Sequence, residues 1–137
     1  GADFSAVFAE DVPGEMVNKY GGEASLSTNI KDREHFLADY YSVKGKFRSS
    51  LYATIETGVY NDQIELLRKN NYPVCLVFGQ DEKLINNDYL NGAPINLWNK
   101  TINKIPAASH LVNIDSPEAF NELLSEFAKE MFTGDAA

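Results

Sequence analysis

Hydrophobic positions divide the chain into a helical first half and a second half that mixes strands and helices. Helical spacing is clearest in the last segment, where apolar residues recur every three or four positions at Phe120, Leu123, Leu124, Phe127 and Met131. Ser116 is suited to cap this segment, Pro117 to occupy its first helical position and Glu118 to complement the helix dipole. The pattern predicts an amphipathic helix that begins at Pro117 and ends before Gly134.

The first half carries three shorter helical patterns, each followed by a breaker. The predicted helices are rich in aromatic, Leu and Ile side chains and cover residues 32–44, 51–57 and 62–70. In the first helix, Phe36, Tyr40 and Tyr41 fall on one side, and Gly45 is expected to end it. Residues 1–30 are interrupted by proline and glycine and predict only short turns and loops.

Two strand patterns follow in the second half. Val74 to Phe78 is a continuous apolar run closed by Gly79, which is typical of a strand buried on both faces of a parallel sheet. Lys100 to Ile105 alternates between apolar and polar residues and is ended by Pro106. The order strand, loop, strand, loop, helix predicts an α/β fold with a parallel sheet. Sheets usually have about four to six strands, so two strands indicate an incomplete sheet.

Composition excludes several classes of protein. The 137 residues carry 12 Lys and Arg against 20 Asp and Glu, and the net charge of −8 argues against nucleic-acid binding. The longest apolar run has five residues, whereas a membrane-spanning helix needs roughly 20. A single cysteine, Cys75, excludes an internal disulfide. No signal peptide opens the sequence, which begins with Gly, so we expect a cytoplasmic protein and a chain that is processed or part of something longer.

Two loops, each directly after a predicted strand, carry side chains suited to catalysis. Asp81 and Glu82 follow the first strand, and His110 follows the second. Because the carboxyl ends of parallel strands meet at one edge of a sheet, these side chains are expected to lie close together. Either loop alone is better explained as a solvated polar turn. Their coincidence predicts a carboxylate that orients a histidine base.

Other chemically capable residues are given structural roles. Glu82, Asp88, Asp115 and His110 lack the spacing of a metal site, so neither a metal nor another cofactor is predicted. His35, beside Glu34, is expected on a helix surface or in packing among the helices. Trp98 and the seven Tyr are expected in the core and in helix packing rather than around a cofactor.

Residues 73–132 resemble the C-terminal stretch of the α/β-hydrolase family. There, a strand like 73–78 runs into a Gly-x-x-acid turn, a second strand leads to a histidine, and an Asp-x-Pro-Glu-x-Phe segment, here 115–120, opens the last helix. The resemblance implies Glu82 as the triad acid, with Asp81 as runner-up. It also implies His110 as the triad histidine, which here follows Ser where the family usually has Gly. Within the family, the chain resembles hydrolases of the acyl-homoserine lactonase type, which carry a similar acid turn and Leu-Trp segment.

The resemblance further implies a domain layout. Residues 1–71 correspond to a helical cap, and residues 72–137 to the C-terminal α/β segment of the hydrolase core, with the last two parallel strands and the last helix. Since the cap roofs the substrate pocket in this family, Phe36, Tyr40 and Tyr41 are expected to line an acyl pocket.

The nucleophile of the family has no counterpart in this sequence. Its Gly-x-Ser-x-Gly elbow needs two glycines four positions apart, and no two of the nine glycines have that spacing. We therefore expect the C-terminal half of a serine hydrolase for an ester, lactone or similar carbonyl substrate, inactive alone, which self-associates or pairs with a missing N-terminal half. The alternative is a non-catalytic binding or interaction module that retains part of the hydrolase scaffold.

Overall fold

The computed structural model describes residues 5–133, and helices make up its first half. A 3-10 turn at Ser5–Phe8 precedes four helices, α1 (Gly14–Ala24), α2 (Ile30–Ser42), α3 (Gly45–Glu56) and α4 (Gln63–Arg68). The side chains of Asn29 and Asp62 cap α2 and α4 by accepting backbone N–H groups of the first turn. The predicted helix within 62–70 is confirmed.

Two predictions about glycine in this half are wrong. Gly45 begins α3 instead of ending the preceding helix. A Cβ at this position would lie 2.1 Å from the carbonyl oxygen of Glu10, so this close approach of the two segments requires glycine. Gly21 and Gly22 lie inside α1, an 11-residue helix where only short turns were expected. A Cβ on Gly21 would come within 2.8 Å of the Phe36 ring, so glycine here lets α2 pack closely on α1.

The second half contains a parallel pair of strands, β1 (Val77–Gly79) and β2 (Asn103–Ile105), with Val77 opposite Asn103. One further parallel bridge joins Val74 to Leu97. Both strands are shorter than predicted. Residues 98–100 form a 3-10 turn with positive φ at Asn99 and Lys100, which delays the start of β2. The predicted parallel α/β arrangement is confirmed.

Two consecutive helices follow β2, α5 (Val112–Asp115) and α6 (Pro117–Thr133). The helix α6 begins at Pro117 as predicted, and Gly134 lies outside the described residues. Ser116 does not cap α6 with its side chain: its hydroxyl donates to the carbonyls of Pro106 (3.1 Å) and Ala107 (3.2 Å). The side chain therefore ties the start of α6 to the loop after β2.

One cluster of the hydrophobic core lies between the sheet and α6. Its buried members are Ile105, Ala108 and Val112, against which Val77, Phe120 and Leu123 pack. Trp98 is buried as predicted, and its indole N–H donates to Glu130 at 2.6 Å, which attaches the long loop between the strands to α6. No helix within residues 5–133 combines the length and apolar character needed to cross a membrane.

Candidate functional site

The two loops that follow β1 and β2 bring Glu82 and His110 together. His110 Nδ1 lies 2.9 Å from Glu82 Oε2. The Glu82 side chain is 5% exposed, whereas the His110 side chain is 40% exposed. A buried carboxylate thus holds one nitrogen of an imidazole that remains accessible from outside.

The local turn fixes the orientation of Glu82. Its second carboxylate oxygen, Oε1, accepts the backbone N–H groups of Leu84 (2.7 Å) and Ile85 (3.3 Å). Burial raises the pKa of Glu82, but the hydrogen bonds from His110 and from Leu84 outweigh this effect and hold the pKa below its ordinary value. The side chain is therefore a carboxylate at neutral pH, an acceptor for the Nδ1–H of the imidazole.

Backbone contacts lock the acid loop against the histidine loop. The N–H of Gln80 donates to the carbonyl of Ile105, and that of Asp81 to the carbonyl of Ala108, both at 2.9 Å. A Cβ on Gly79 would lie only 2.1 Å from the carbonyl oxygen of Ser109, so the close approach requires glycine. The side chain of Asp81, the runner-up acid, is exposed, and the structure pairs His110 with Glu82.

Asp115 holds the loop that carries His110 against the segment that follows α1. Its Oδ2 accepts the N–H of Ser109 at 2.8 Å. Its Oδ1 accepts the N–H groups of Leu26 (2.8 Å) and Ser27 (3.2 Å), and the hydroxyl of Ser25 also donates to it. Sequence reasoning missed this role, because the partners of Asp115 lie up to 90 positions away in the chain.

The end of α1 also contacts both neighbours of His110 directly. The hydroxyl of Ser109, which is fully buried, donates to the carbonyl of Glu23 at 2.8 Å. On the other side, the N–H of Leu111 donates to the carbonyl of Ala24 at 2.9 Å. The backbone that carries His110 is thus held on both sides by the first half of the chain.

Tyr40 and Tyr41, two of the three aromatic residues of α2 that are expected to line a pocket, hydrogen-bond to the backbone before α1. The hydroxyl of Tyr40 donates to the carbonyl of Val7 (2.5 Å), and that of Tyr41 donates to the carbonyl of Val12 (2.9 Å). Both hydroxyls therefore anchor the segment before α1. Their predicted role in an acyl pocket remains a prediction.

Phe36 packs near Tyr20, a residue of α1. The two rings are 6.2 Å apart between centroids. Burial raises the pKa of Tyr20, and the charge of Glu82 adds to that effect, so Tyr20 lies within electrostatic reach of the pair. An open groove of about 730 Å³ runs along α1, and its lining includes Val7, Met16 and Tyr20. No sequence pattern indicated this groove, because residues 1–30 predict only short turns and loops and the groove lies along α1.

The remaining candidates stand apart from this site. His35 is exposed on α2, and Cys75 is partly buried, which raises the pKa of its thiol. Within residues 5–133, no three His, Cys, Asp or Glu side chains are grouped as a metal ion would need.

Comparison with sequence families gives no match: neither a protein-family model nor a curated protein corresponds to this sequence.

Comparison with solved structures does give matches, among them three structures of the N-acyl homoserine lactonase AidH. A serine-to-glycine mutant of AidH complexed with N-hexanoyl homoserine lactone has a TM-score of 0.83 at 20% identity, and covers 95% of this chain and 47% of that one. AidH complexed with N-butanoyl homoserine gives 0.78 at 17% identity, with 95% and 47% covered. A glutamate-to-glycine mutant complexed with N-hexanoyl homoserine gives 0.81 at 18% identity, with 95% and 46% covered.

These likenesses establish the fold. The chain has the fold of part of an α/β-hydrolase and spans about half the length of the structures that it matches. This confirms the incomplete α/β-hydrolase fold expected from residues 73–132.

Proposed function

We propose that this chain is the C-terminal half of a serine hydrolase that opens a lactone or cleaves an ester, with Glu82 as the triad acid and His110 as the general base. The observation that carries the proposal is the 2.9 Å contact between His110 Nδ1 and a buried Glu82 carboxylate, at the ends of two adjacent parallel strands. The division into a cap at 1–71 and a core segment at 72–137 is part of the proposal.

In the proposed mechanism, Glu82 accepts the Nδ1–H of His110 and leaves Nε2 free to act as a base. Nε2 takes the proton of a serine hydroxyl while the serine oxygen attacks the carbonyl carbon of the substrate. As the C–O bond of the lactone or ester breaks, His110 returns the proton to the departing alkoxide. Water then releases the acyl group by the same sequence of proton transfers. The serine and the donors that stabilise the oxyanion belong to polypeptide outside this sequence.

The preferred substrate class in this proposal is an N-acyl homoserine lactone. The fold neighbours carry N-hexanoyl homoserine lactone and ring-opened N-acyl homoserines. The groove along α1 has a volume of about 730 Å³, within the range of small-ligand sites, and apolar residues such as Val7 and Met16 contribute to it.

The test uses the complete product of the gene that encodes this chain. We expect it to open N-hexanoyl homoserine lactone, and His110→Ala to lower kcat by on the order of 10⁴- to 10⁶-fold. His35→Ala is the matched control and should leave kcat unchanged. Retained turnover in His110→Ala would refute the proposal.

The 137-residue chain alone should neither open the lactone nor react with a serine-directed fluorophosphonate, since it lacks the Gly-x-Ser-x-Gly elbow. Covalent labelling of the isolated chain would contradict this part of the proposal.

A second candidate function, a non-catalytic interaction module, is favoured by exposed apolar side chains. Phe47, Tyr60 and Phe132 are 63%, 70% and 89% exposed. Such surface suits a partner polypeptide. The two candidates differ in the complete gene product: a product that binds a partner and hydrolyses no carbonyl substrate supports the module.

A further inference from the structure

Asp115 joins two backbone segments, the loop that carries His110 and the segment just after α1. One carboxylate oxygen accepts the N–H of Ser109, the residue before His110, and the other accepts the N–H groups of Leu26 and Ser27, just after α1. We infer that Asp115 is a positioning residue, which couples the end of α1 to the backbone that carries His110 and so sets the contact between His110 and Glu82. The inference rests on the proposed function, because positioning matters only if the pair is catalytic.

The local geometry leaves His110 little independent freedom. Ser109 is fully buried and hydrogen-bonded through both its N–H and its hydroxyl, and Leu111 is bonded to the carbonyl of Ala24. A rotation of the backbone at His110 would have to break at least one of these contacts. The imidazole itself is substantially exposed, so its direction depends on this backbone rather than on tight side-chain packing.

Capping of the last helix does not explain Asp115. A capping side chain would accept N–H groups from the first turn of α6, which starts at Pro117. The backbone donors to the Asp115 carboxylate are instead those of Leu26, Ser27 and Ser109. The carboxylate therefore acts between segments and not within its own helix.

The hydrogen bonds that Asp115 accepts from Ser109 on one side and from Leu26 and Ser27 on the other form a bridge between the two segments. This bridge requires two acceptor oxygens. Asparagine at this position offers one oxygen and one N–H₂ group, and the N–H₂ group must face either the N–H of Ser109 or the donors at 25–27. Asp115→Asn therefore breaks one side of the bridge with almost no change in side-chain volume. Asp32→Asn is a matched control, because Asp32 accepts the hydroxyl of Ser27 in the same loop without contacting Ser109.

The test is nitrogen NMR of the two imidazoles in the intact 137-residue chain, with amide hydrogen exchange of Leu26 and Ser109. In the wild type, neutral His110 should be the Nδ1–H tautomer held by Glu82, distinct from the exposed His35. In Asp115→Asn, we expect the ring signals of His110 to move toward those of His35. Exchange at Leu26 or Ser109 should accelerate by about tenfold or more, as expected for loss of a hydrogen bond to a charged acceptor. In Asp32→Asn, His110 should stay unchanged.

Unchanged ring signals of His110 in a folded Asp115→Asn protein would overturn the inference. If circular dichroism shows that this variant does not fold, Ser25→Ala decides, since it removes one donor to Asp115 and leaves the carboxylate in place. A smaller shift of His110 in the same direction supports the inference, and no shift overturns it. Because the readout is tautomer and not turnover, its failure is distinguishable from failure of the proposed hydrolase activity.

Discussion

The rim at the strand ends (residues 79–82 and 106–115) and the helical layer (residues 30–68) are held together in different ways. In the rim, Ala108 and Ser109 are fully buried, and two loops touch through their backbones. In the helical layer, α2 and α4 bury no residue completely, and Arg48 is the one residue that α3 buries. Backbone contacts thus specify the rim, whereas polar anchors hold the layer and much of its apolar surface stays exposed.

This difference indicates which region owes its geometry to contacts within this chain. The geometry of Glu82 and His110 is set by contacts within residues 23–27, 79–85 and 105–115, all present in this chain. Within the described residues, no segment fully covers the exposed apolar faces of the layer. We therefore expect rim and layer to respond differently to substitution.

The largest expected effect is at Gly79. Gly79→Ala places a Cβ about 2.1 Å from the backbone oxygen of Ser109 and must push the two loops apart. We expect a loss of roughly 3 kcal/mol or more in the free energy of unfolding, measured by urea denaturation.

Gly22→Ala is the matched control for Gly79→Ala. A Cβ there meets nothing within 4 Å, and Gly22 lies inside α1. Alanine should therefore stabilise the protein by up to about 1 kcal/mol. Equal effects of the two substitutions would show that the rim is not the tightly specified region.

Substitution of Arg48 tests whether polar contacts hold the helical layer together. Its guanidinium donates to the carbonyls of Tyr40 (3.1 Å), Val43 (2.5 Å) and Glu10 (3.0 Å). Arg48→Met keeps the apolar stem of the side chain but leaves these part-buried carbonyls without the guanidinium donor, so we expect a loss of about 2 kcal/mol in the free energy of unfolding. Urea denaturation measures it, with Lys46→Met on the exposed face of α3 as control.

If rim and layer are held together independently, the structural change caused by Arg48→Met stays within the layer. The ring signals of His110 in Arg48→Met should match those of the wild type. A shift as large as that expected for Asp115→Asn would mean that rim and layer are one cooperative unit.

The smallest effect concerns pH. Because the pKa of Glu82 is below its ordinary value of 4.5 in the folded chain, its ionised form stabilises the fold above that pH. This contribution is lost as pH falls through the folded pKa. The difference in unfolding free energy between wild type and Glu82→Gln should therefore be present at pH 7 and shrink below pH 4.5.

Denaturation at several pH values measures this difference, with Glu34→Gln on the exposed side of α2 as control. A difference that grows as the pH falls would have the wrong sign for a carboxylate held by hydrogen bonds from His110 and Leu84.

Sequence patterns predicted features whose signals are local. The start of α6 at Pro117 and the two parallel strands follow from neighbouring residues. The approach of Glu82 to His110 follows from the rule that parallel strands end at one edge. The bridge at Asp115 and the glycine contacts of Gly21 and Gly45 could not be predicted, because they depend on which distant segments meet in space.

The predicted start of β2 and the predicted cap of α6 were wrong for a related reason. The run from Lys100 alternates as a strand does, but positive φ at Asn99 and Lys100 turns the chain before β2 begins at Asn103. The hydroxyl of Ser116 was expected to cap a helix and instead reaches back to the loop after β2. For Ser116, a contact with another segment overrides a local preference.

The central claim is that Glu82, and not Asp81, orients His110 for catalysis. The most direct measurement is kcat for opening of N-hexanoyl homoserine lactone by the complete gene product carrying Glu82→Gln or Asp81→Asn. We predict a loss of about 10⁴-fold for Glu82→Gln and less than about threefold for Asp81→Asn. Full activity in Glu82→Gln, or a larger loss in Asp81→Asn, would contradict the assignment.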